Sequence, residues 1–352
     1  MRAPEPASGT AVPADLPEAA QAPRTPGPAP VALVGATASG KSQTALQVAS
    51  TMPEVELVSV DSMAVYRGMD IGTAKPDRAA RDRVPYHLVD LVDPSEEFTV
   101  QQFQAEARRV LADIAARGHR ALLVGGTGLY LRSVVDNLSF PGTYPEVAAE
   151  LARSLEASGP EGSPSRRSAL EDLHHRLAGL DPAAAGRVEP ANRRRLLRAL
   201  EVTIGSGRPF SSFGPGLDRY PPTDVTQVGL RHDPTDLDRR IAARLDRLME
   251  LGFLDEVRML AARPGGLSRT ARQALGYREL LSHVEDGVPL GTAIDLAVQR
   301  TRAFARRQWS WFRRDPRIVW MEPDGDPAGS IAALLGGFPQ AAARVGDSPP
   351  TL

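Results

Sequence analysis

The 352-residue chain contains no cysteine. That absence excludes disulfides, thiol nucleophiles and cysteine-ligated zinc or iron–sulfur centres. It also carries almost no net charge, −1 at neutral pH, so no global field draws it to nucleic acid. No apolar stretch approaches the ~20 residues needed to span a bilayer. The first 29 residues are rich in Pro and Ala, with one early Arg and no apolar run. They read as a disordered tail and not as a signal peptide. A soluble, cytoplasmic protein is therefore expected. Apolar content of 42% and charged content of 24% are those of a globular chain, long enough for one large or two ordinary domains.

The most informative segment present is Gly35-Ala36-Thr37-Ala38-Ser39-Gly40-Lys41-Ser42, directly after the apolar run Val31 to Val34. It completes the pattern GxxxxGK[ST], which arises by accident in a chain of this length with odds of about one in a hundred. Gly35 and Gly40 permit a tight turn whose backbone N–H groups converge on phosphate oxygens. Lys41 adds a cation, Ser42 is placed to ligate Mg²⁺, and the helix that starts here presents its positive end. The loop implies a bound di- or triphosphate without saying which.

Short Val/Leu-rich runs recur at 31–34, 55–60, 87–92, 121–124, 227–230 and 317–321, with helical patterns between them at 101–117 and 237–260. Buried strands alternating with helices predict an α/β fold built on a parallel sheet, the phosphate loop lying at its carboxyl edge. From about Asn137 to Pro190 no strand-like run appears, so a helical insertion is expected. The expected division is a tail over 1–29, a catalytic core of 30–136 and 195–325, an insertion over 137–194 and a second disordered tail over 338–352. Residues 205–224, rich in Gly, Pro and Ser, read as a loop returning to the sheet.

Several constellations fall at strand ends. Asp61 ends the second strand, where a carboxylate is placed to accept a proton from a reacting group; a turn or helix-capping Asp would look the same. Lys75, in the Gly-rich turn that follows, is a candidate cation over the phosphates, and Asp90 a candidate metal-side acid or a turn residue. Val124-Gly125-Gly126-Thr127 leaves a later strand with two glycines that let backbone and hydroxyl approach a ligand. Arg193, Arg194, Arg195 and Arg198 cluster, and six arginines lie within residues 300–314. Interleaved with Trp309, Trp311 and Phe312, the latter suit either a phosphate backbone with stacked bases or core aromatics beside solvated arginines.

Taken together, GATASGKS, DSMAVYRGMDIGTAKP, VGGTGLY, RALEV, GYREL and TRAFARRQWSWFRR closely resemble the tRNA dimethylallyltransferase (IPP transferase) family, in family order from about residue 31 to 322. The resemblance implies a P-loop NTPase-like fold with an inserted tRNA-binding helical subdomain. It implies that the loop residues Gly35 to Ser42 hold the diphosphate of dimethylallyl diphosphate while N6 of the adenosine beside the tRNA anticodon attacks the allylic carbon. Asp61 would take the N6 proton, Thr127 would position the reacting groups, and Lys41 would stabilise the leaving diphosphate together with Mg²⁺ at Ser42. Asp61, Ser62, Met63, Ala64 and Thr127 would meet the flipped adenine. Arg194, Arg195 and Arg198 would grip the anticodon stem-loop, and Arg272 and Arg278 are candidates for the diphosphate. The family often carries Gln where this chain has Ala64, and Pro-Asn-Asp where it has Pro190-Ala191-Asn192. The zinc finger of eukaryotic relatives is excluded by the missing cysteines. A monomer is expected.

Three other readings share parts of this pattern. A P-loop nucleotide kinase would need an arginine-bearing lid and a metal-binding acid. An adenylate isopentenyltransferase, working on free AMP, ADP or ATP, would need neither the insertion nor separate arginine clusters. A non-enzymatic tRNA-binding module would leave the loop and Asp61 without purpose.

Overall fold

A computed structural model describes residues 29–214 and 216–337. The tails expected at 1–29 and 338–352 lie outside these residues, apart from position 29. The Val/Leu runs form six parallel strands: β1 (Val31–Val34), β2 (Val55–Val60), β3 (Tyr86–His87), β4 (Arg120–Gly125), β5 (Thr226–Leu230) and β6 (Ile318–Met321). Their order across the sheet is β3-β2-β4-β1-β5-β6. Both faces are covered, which is why the strands read as continuous apolar runs. On β1, Val31 and Leu33 pack toward α1 (Lys41–Thr51), while Ala32 and Val34 point into the larger core on the other face.

The expected strand 87–92 is only two residues long and begins at Tyr86. Leu88 and Asp90 hold φ of +61° and +56°, outside the extended region, so the chain leaves the sheet there, and Asp90 and Val92 donate instead to Ala64 and Val65 of the loop after β2. Next come α2 (Arg78–Arg83), placed before β3, and α3 (Val100–Ala116), which starts on a capping box of Thr99 and Gln102. After β4, α4 (Gly128–Val135) leads into the insertion.

The insertion comprises α5 (Pro145–Ala157), α6 (Pro164–Leu180), the short α7 (Pro182–Ala185) and α8 (Arg193–Ser206). It has its own apolar centre of Leu151, Leu177, Leu196, Ala199 and Leu200. The boundary expected at 194 cuts through α8, whose buried face completes that centre, so the helical unit runs on to about Ser206. Beyond the return loop and β5, the single helix expected over 237–260 is two: α9 (Pro234–Glu250) and α10 (Phe253–Ala261). They meet at Gly252, whose φ of +94° is open to glycine and ends the first helix. Then come α11 (Tyr277–Asp286), the long α12 (Leu290–Phe312), β6 and α13 (Pro327–Leu335).

Candidate active site

Register brings the site together. Val34 of β1 pairs with Gly125 of β4, and Gly125 pairs with Val60 of β2. The phosphate loop, the Gly126-Thr127 turn and Asp61 therefore leave the sheet side by side at its carboxyl edge. In the loop, Gly35 and Gly40 take φ of +151° and +89°, and Ala38 takes +64°. The first amides of α1 lie at the end of a helix that leaves them without intrahelical acceptors. Lys41 folds back inside the loop, its Nζ donating to Ala36 O at 2.6 Å and reaching Ser39 Oγ at 3.3 Å. The Thr37 amide is not free for a ligand, because it donates to Gln308 Oε1 at 2.8 Å.

Asp61 is both a turn residue and a candidate base. Its Oδ1 accepts the N–H groups of Met63 at 2.7 Å and Ala64 at 3.3 Å, while Oδ2 has no hydrogen-bond partner among the described residues. Thr127 Oγ1 accepts the Ser62 N–H at 3.2 Å, so the hydroxyl locks the two strand ends together. Gly125 and Gly126 are approached by protein atoms, Val60 O and the Gln308 amide. The room they leave is thus filled from within.

The arginine at this site is one that the motifs did not single out. Arg244, on α9, lies close enough to Lys41 and Asp61 to act on both electrostatically. Burial, then the Arg244 charge, lower the Lys41 pKa to about 7, with Asp61 partly offsetting them. Burial also lowers the pKa of Arg244, against a raising effect from Asp61. Two cations facing one carboxylate in a shielded pocket give an excess of positive potential, suited to a multivalent anion. A signal was present in the sequence: Ile241, Leu245 and Leu248 form the buried stripe of α9, and Arg244 falls on that stripe.

Other candidates are placed differently. Arg272 is paired with Glu285, and Arg278 is exposed and donates to Gln273 Oε1 at 3.2 Å. Among the described residues, no hydrogen bond or ion pair joins either arginine to the loop. Arg198 is committed to Glu201 at 2.6 Å and to the carbonyls of Pro141 and Gly142; it staples the entry to the insertion, whereas Arg194 and Arg195 are exposed. Lys75 donates to Tyr66 O, Asp70 and Asp90 at 2.5, 2.8 and 2.6 Å, with its side chain 1% exposed. It braces the loop after β2 instead of covering phosphates. Asp90 is neutralised by Lys75 and Arg81. Burial pushes its pKa up, but those hydrogen bonds outweigh burial and hold it below its ordinary value, so it is a turn residue without a free carboxylate for a metal. Phe312 is 2% exposed, Trp311 packs against the core, and the Trp309 ring meets Trp320 at a centroid distance of 4.6 Å. These aromatics are packing residues.

A second layer holds the loop after β2. Glu256 of α10, 5% exposed, accepts the N–H groups of Asp70, Ile71 and Gly72 at 2.9, 2.7 and 3.2 Å and the Tyr277 hydroxyl at 2.6 Å. No group of three or more His, Asp or Glu side chains among the described residues is arranged to hold a metal. Nor is any described helix long and apolar enough to cross a membrane.

Comparison with known proteins bears on the family. The family model described as IPP transferase matches residues 64–315. The chain is 45% identical over 320 residues to the tRNA dimethylallyltransferase of Kineococcus radiotolerans, covering 89% of this chain and 97% of that one. It is 44% identical to the protein of the same name from Streptomyces coelicolor, covering 84% and 91%. Among solved structures, the full-length tRNA isopentenylpyrophosphate transferase of Bacillus halodurans superposes with a TM-score of 0.62 at 34% identity, over 90% of this chain and 98% of that one. A eukaryotic dimethylallyltransferase acting on tRNA, at 24% identity, shares the fold with a TM-score of 0.67. With the family model spanning most of the chain and the phosphate loop, Asp61 and Thr127 drawn to one sheet edge, the chain belongs to the IPP transferase family.

Proposed function

We propose that this protein transfers the dimethylallyl group of dimethylallyl diphosphate to N6 of the adenosine next to a tRNA anticodon. The observation that carries this reading is the meeting of a phosphate loop with Lys41, Arg244 and a half-free carboxylate, Asp61, at one sheet edge. In the reaction the allylic C1–O bond breaks, a C1–N6 bond forms, and diphosphate leaves with the bonding electrons. Lys41, Arg244 and the amides of Gly40, Lys41 and Ser42 bind the charge that develops on the leaving oxygens. Asp61 keeps Oδ1 in its turn and takes the N6 proton on Oδ2. Thr127 holds the β2 and β4 ends in register, so that the acceptor faces the diphosphate.

Ser42 fits Mg²⁺. It is exposed in the first turn of α1, and this cation is usually bound through one or two protein oxygens plus substrate phosphates, without an all-protein cage. When bound there it would neutralise diphosphate charge. The target base must leave its stack to reach the edge, and Arg194 and Arg195 of α8, whose exposure supports the role, would contact the anticodon stem through phosphates. Incubation of tRNA with dimethylallyl diphosphate and Mg²⁺, without ATP, followed by nucleoside mass spectrometry, tests the reading. N6-(dimethylallyl)adenosine is expected. Its absence with tRNA but formation on free AMP would replace the acceptor, and a requirement for ATP would replace the chemistry.

A further inference from the structure

The β1–β4 ladder ends at Val34 and Gly125. Beyond it, among the described residues, no backbone hydrogen bond ties the phosphate loop to the Gly126-Thr127 turn. A side chain from α12 fills the gap. Gln308 is 7% exposed; its Oε1 accepts the Thr37 N–H at 2.8 Å and its Nε2 donates to Gly126 O at 2.9 Å. A Cβ at position 126 would overlap the amide nitrogen, so the bare glycine is what admits it. The neighbours of Gln308 on its helix face, Ala305 and Phe312, are each 2% exposed, which fixes the helix that delivers the amide.

We infer that Gln308 is a positioning residue that acts as an extra rung between the two loops, setting the distance from the diphosphate cradle to Thr127. The inference rests on the reaction proposed above. The amide is suited to the task because its two ends differ: one loop offers a donor, Thr37 N–H, and the other an acceptor, Gly126 C=O. Both residues are half-buried, and each loses a partner if the amide is removed. A shift of ~1 Å between cradle and acceptor lowers the rate by about a hundredfold.

Two variants test the role. Gln308→Met keeps the length and removes both hydrogen bonds; it should raise KM for dimethylallyl diphosphate and lower kcat, each by about tenfold, with tRNA affinity unchanged. Gln308→Glu supplies an acceptor for Thr37, but its carboxylate faces Gly126 O unless protonated. Its kcat/KM relative to the wild-type enzyme should therefore climb as pH falls, a dependence that loose packing would not produce. Wild-type kinetics in Gln308→Met, or a flat pH ratio in Gln308→Glu, would overturn the inference, and the second readout decides if the first variant fails to fold. Should the wild-type chain prenylate no tRNA, the proposed reaction fails on its own account. Calorimetric binding of inorganic diphosphate then tests the rung separately: affinity about tenfold lower in both variants at pH 8 supports it, and unchanged affinity sinks it.

Discussion

At the scale of single residues, the ammonium of Lys41 decides how the site responds to pH. Burial and the Arg244 charge bring its pKa to about 7 in the free protein, and a bound diphosphate, being an anion, raises it again. Above pH 7 the free Lys41 is thus neutral and must take up a proton as the ligand binds. Affinity for diphosphate should accordingly fall as pH rises from about 7 toward 9, by up to tenfold per unit. Calorimetry in two buffers of different ionisation enthalpy checks this, since the apparent heats should differ by the proton taken up. Asp61 makes a second prediction. Asp61→Asn retains an oxygen for the Met63 and Ala64 amides but has no basic oxygen for the proton. Single-turnover prenylation should drop by about 10²- to 10⁴-fold, while tRNA binding, followed by fluorescence anisotropy, holds. These two residues were legible because each sits in a local pattern: Lys41 in GxxxxGK[ST], Asp61 at the end of an apolar run. Arg244 was not singled out, because it is one of several arginines on α9 and only packing selects the one turned toward the loop.

At the scale of elements, Glu256 shows how distant segments fix the loop after β2. One buried carboxylate gathers three amides and the Tyr277 hydroxyl, and burial, with Glu256 beside it, drives the Tyr277 pKa upward. Glu256→Ala would strand those donors and should cost about 3 kcal/mol of stability, measured by urea denaturation. Glu256→Gln should cost less, since its amide oxygen still accepts. At the edge of the sheet far from the loop, burial acts to raise the pKa of Glu56, but hydrogen bonds from Arg117, His87 and His119 prevail and lower it. A carboxylate whose folded pKa is depressed stabilises the fold above its ordinary value of 4.5, and that contribution is lost as pH falls below it. Element types were readable from periodicity. Their ends were not: β3 stops before Leu88, whose φ of +61° lies outside the extended region, and α9 stops just before Gly252, both decided by single residues.

At the scale of the molecule, the sheet presents one carboxyl edge, and the insertion carries exposed arginines on α8. Arg194 and Arg195 are exposed on α8, whereas Arg198, three or four residues on, is spent on internal hydrogen bonds. Replacing Arg194 and Arg195 together with Ala should weaken tRNA binding and reduce the slope of log affinity against log salt by about 1.5. KM for dimethylallyl diphosphate should not move. The same substitution at Arg198 should instead lower the melting temperature, because Glu201 and the carbonyls of Pro141 and Gly142 lose their donor.

The sequence by itself determined the parallel sheet, the phosphate loop and the helical character of the insertion, because apolar periodicity and a contiguous loop are local properties of a chain. It also placed Asp61 and Thr127 at strand ends. Only the tertiary structure decided which cations face the loop, since charge runs such as Arg193 to Arg198 look alike until packing turns one side chain inward and leaves another in water. It selected Arg244, committed Arg272 to Glu285 and Lys75 to Asp90, and set the Gln308 amide between two loops that the sheet no longer joins. Partner choice among polar groups depends on distances between segments far apart in sequence, and those distances exist only once the core has closed.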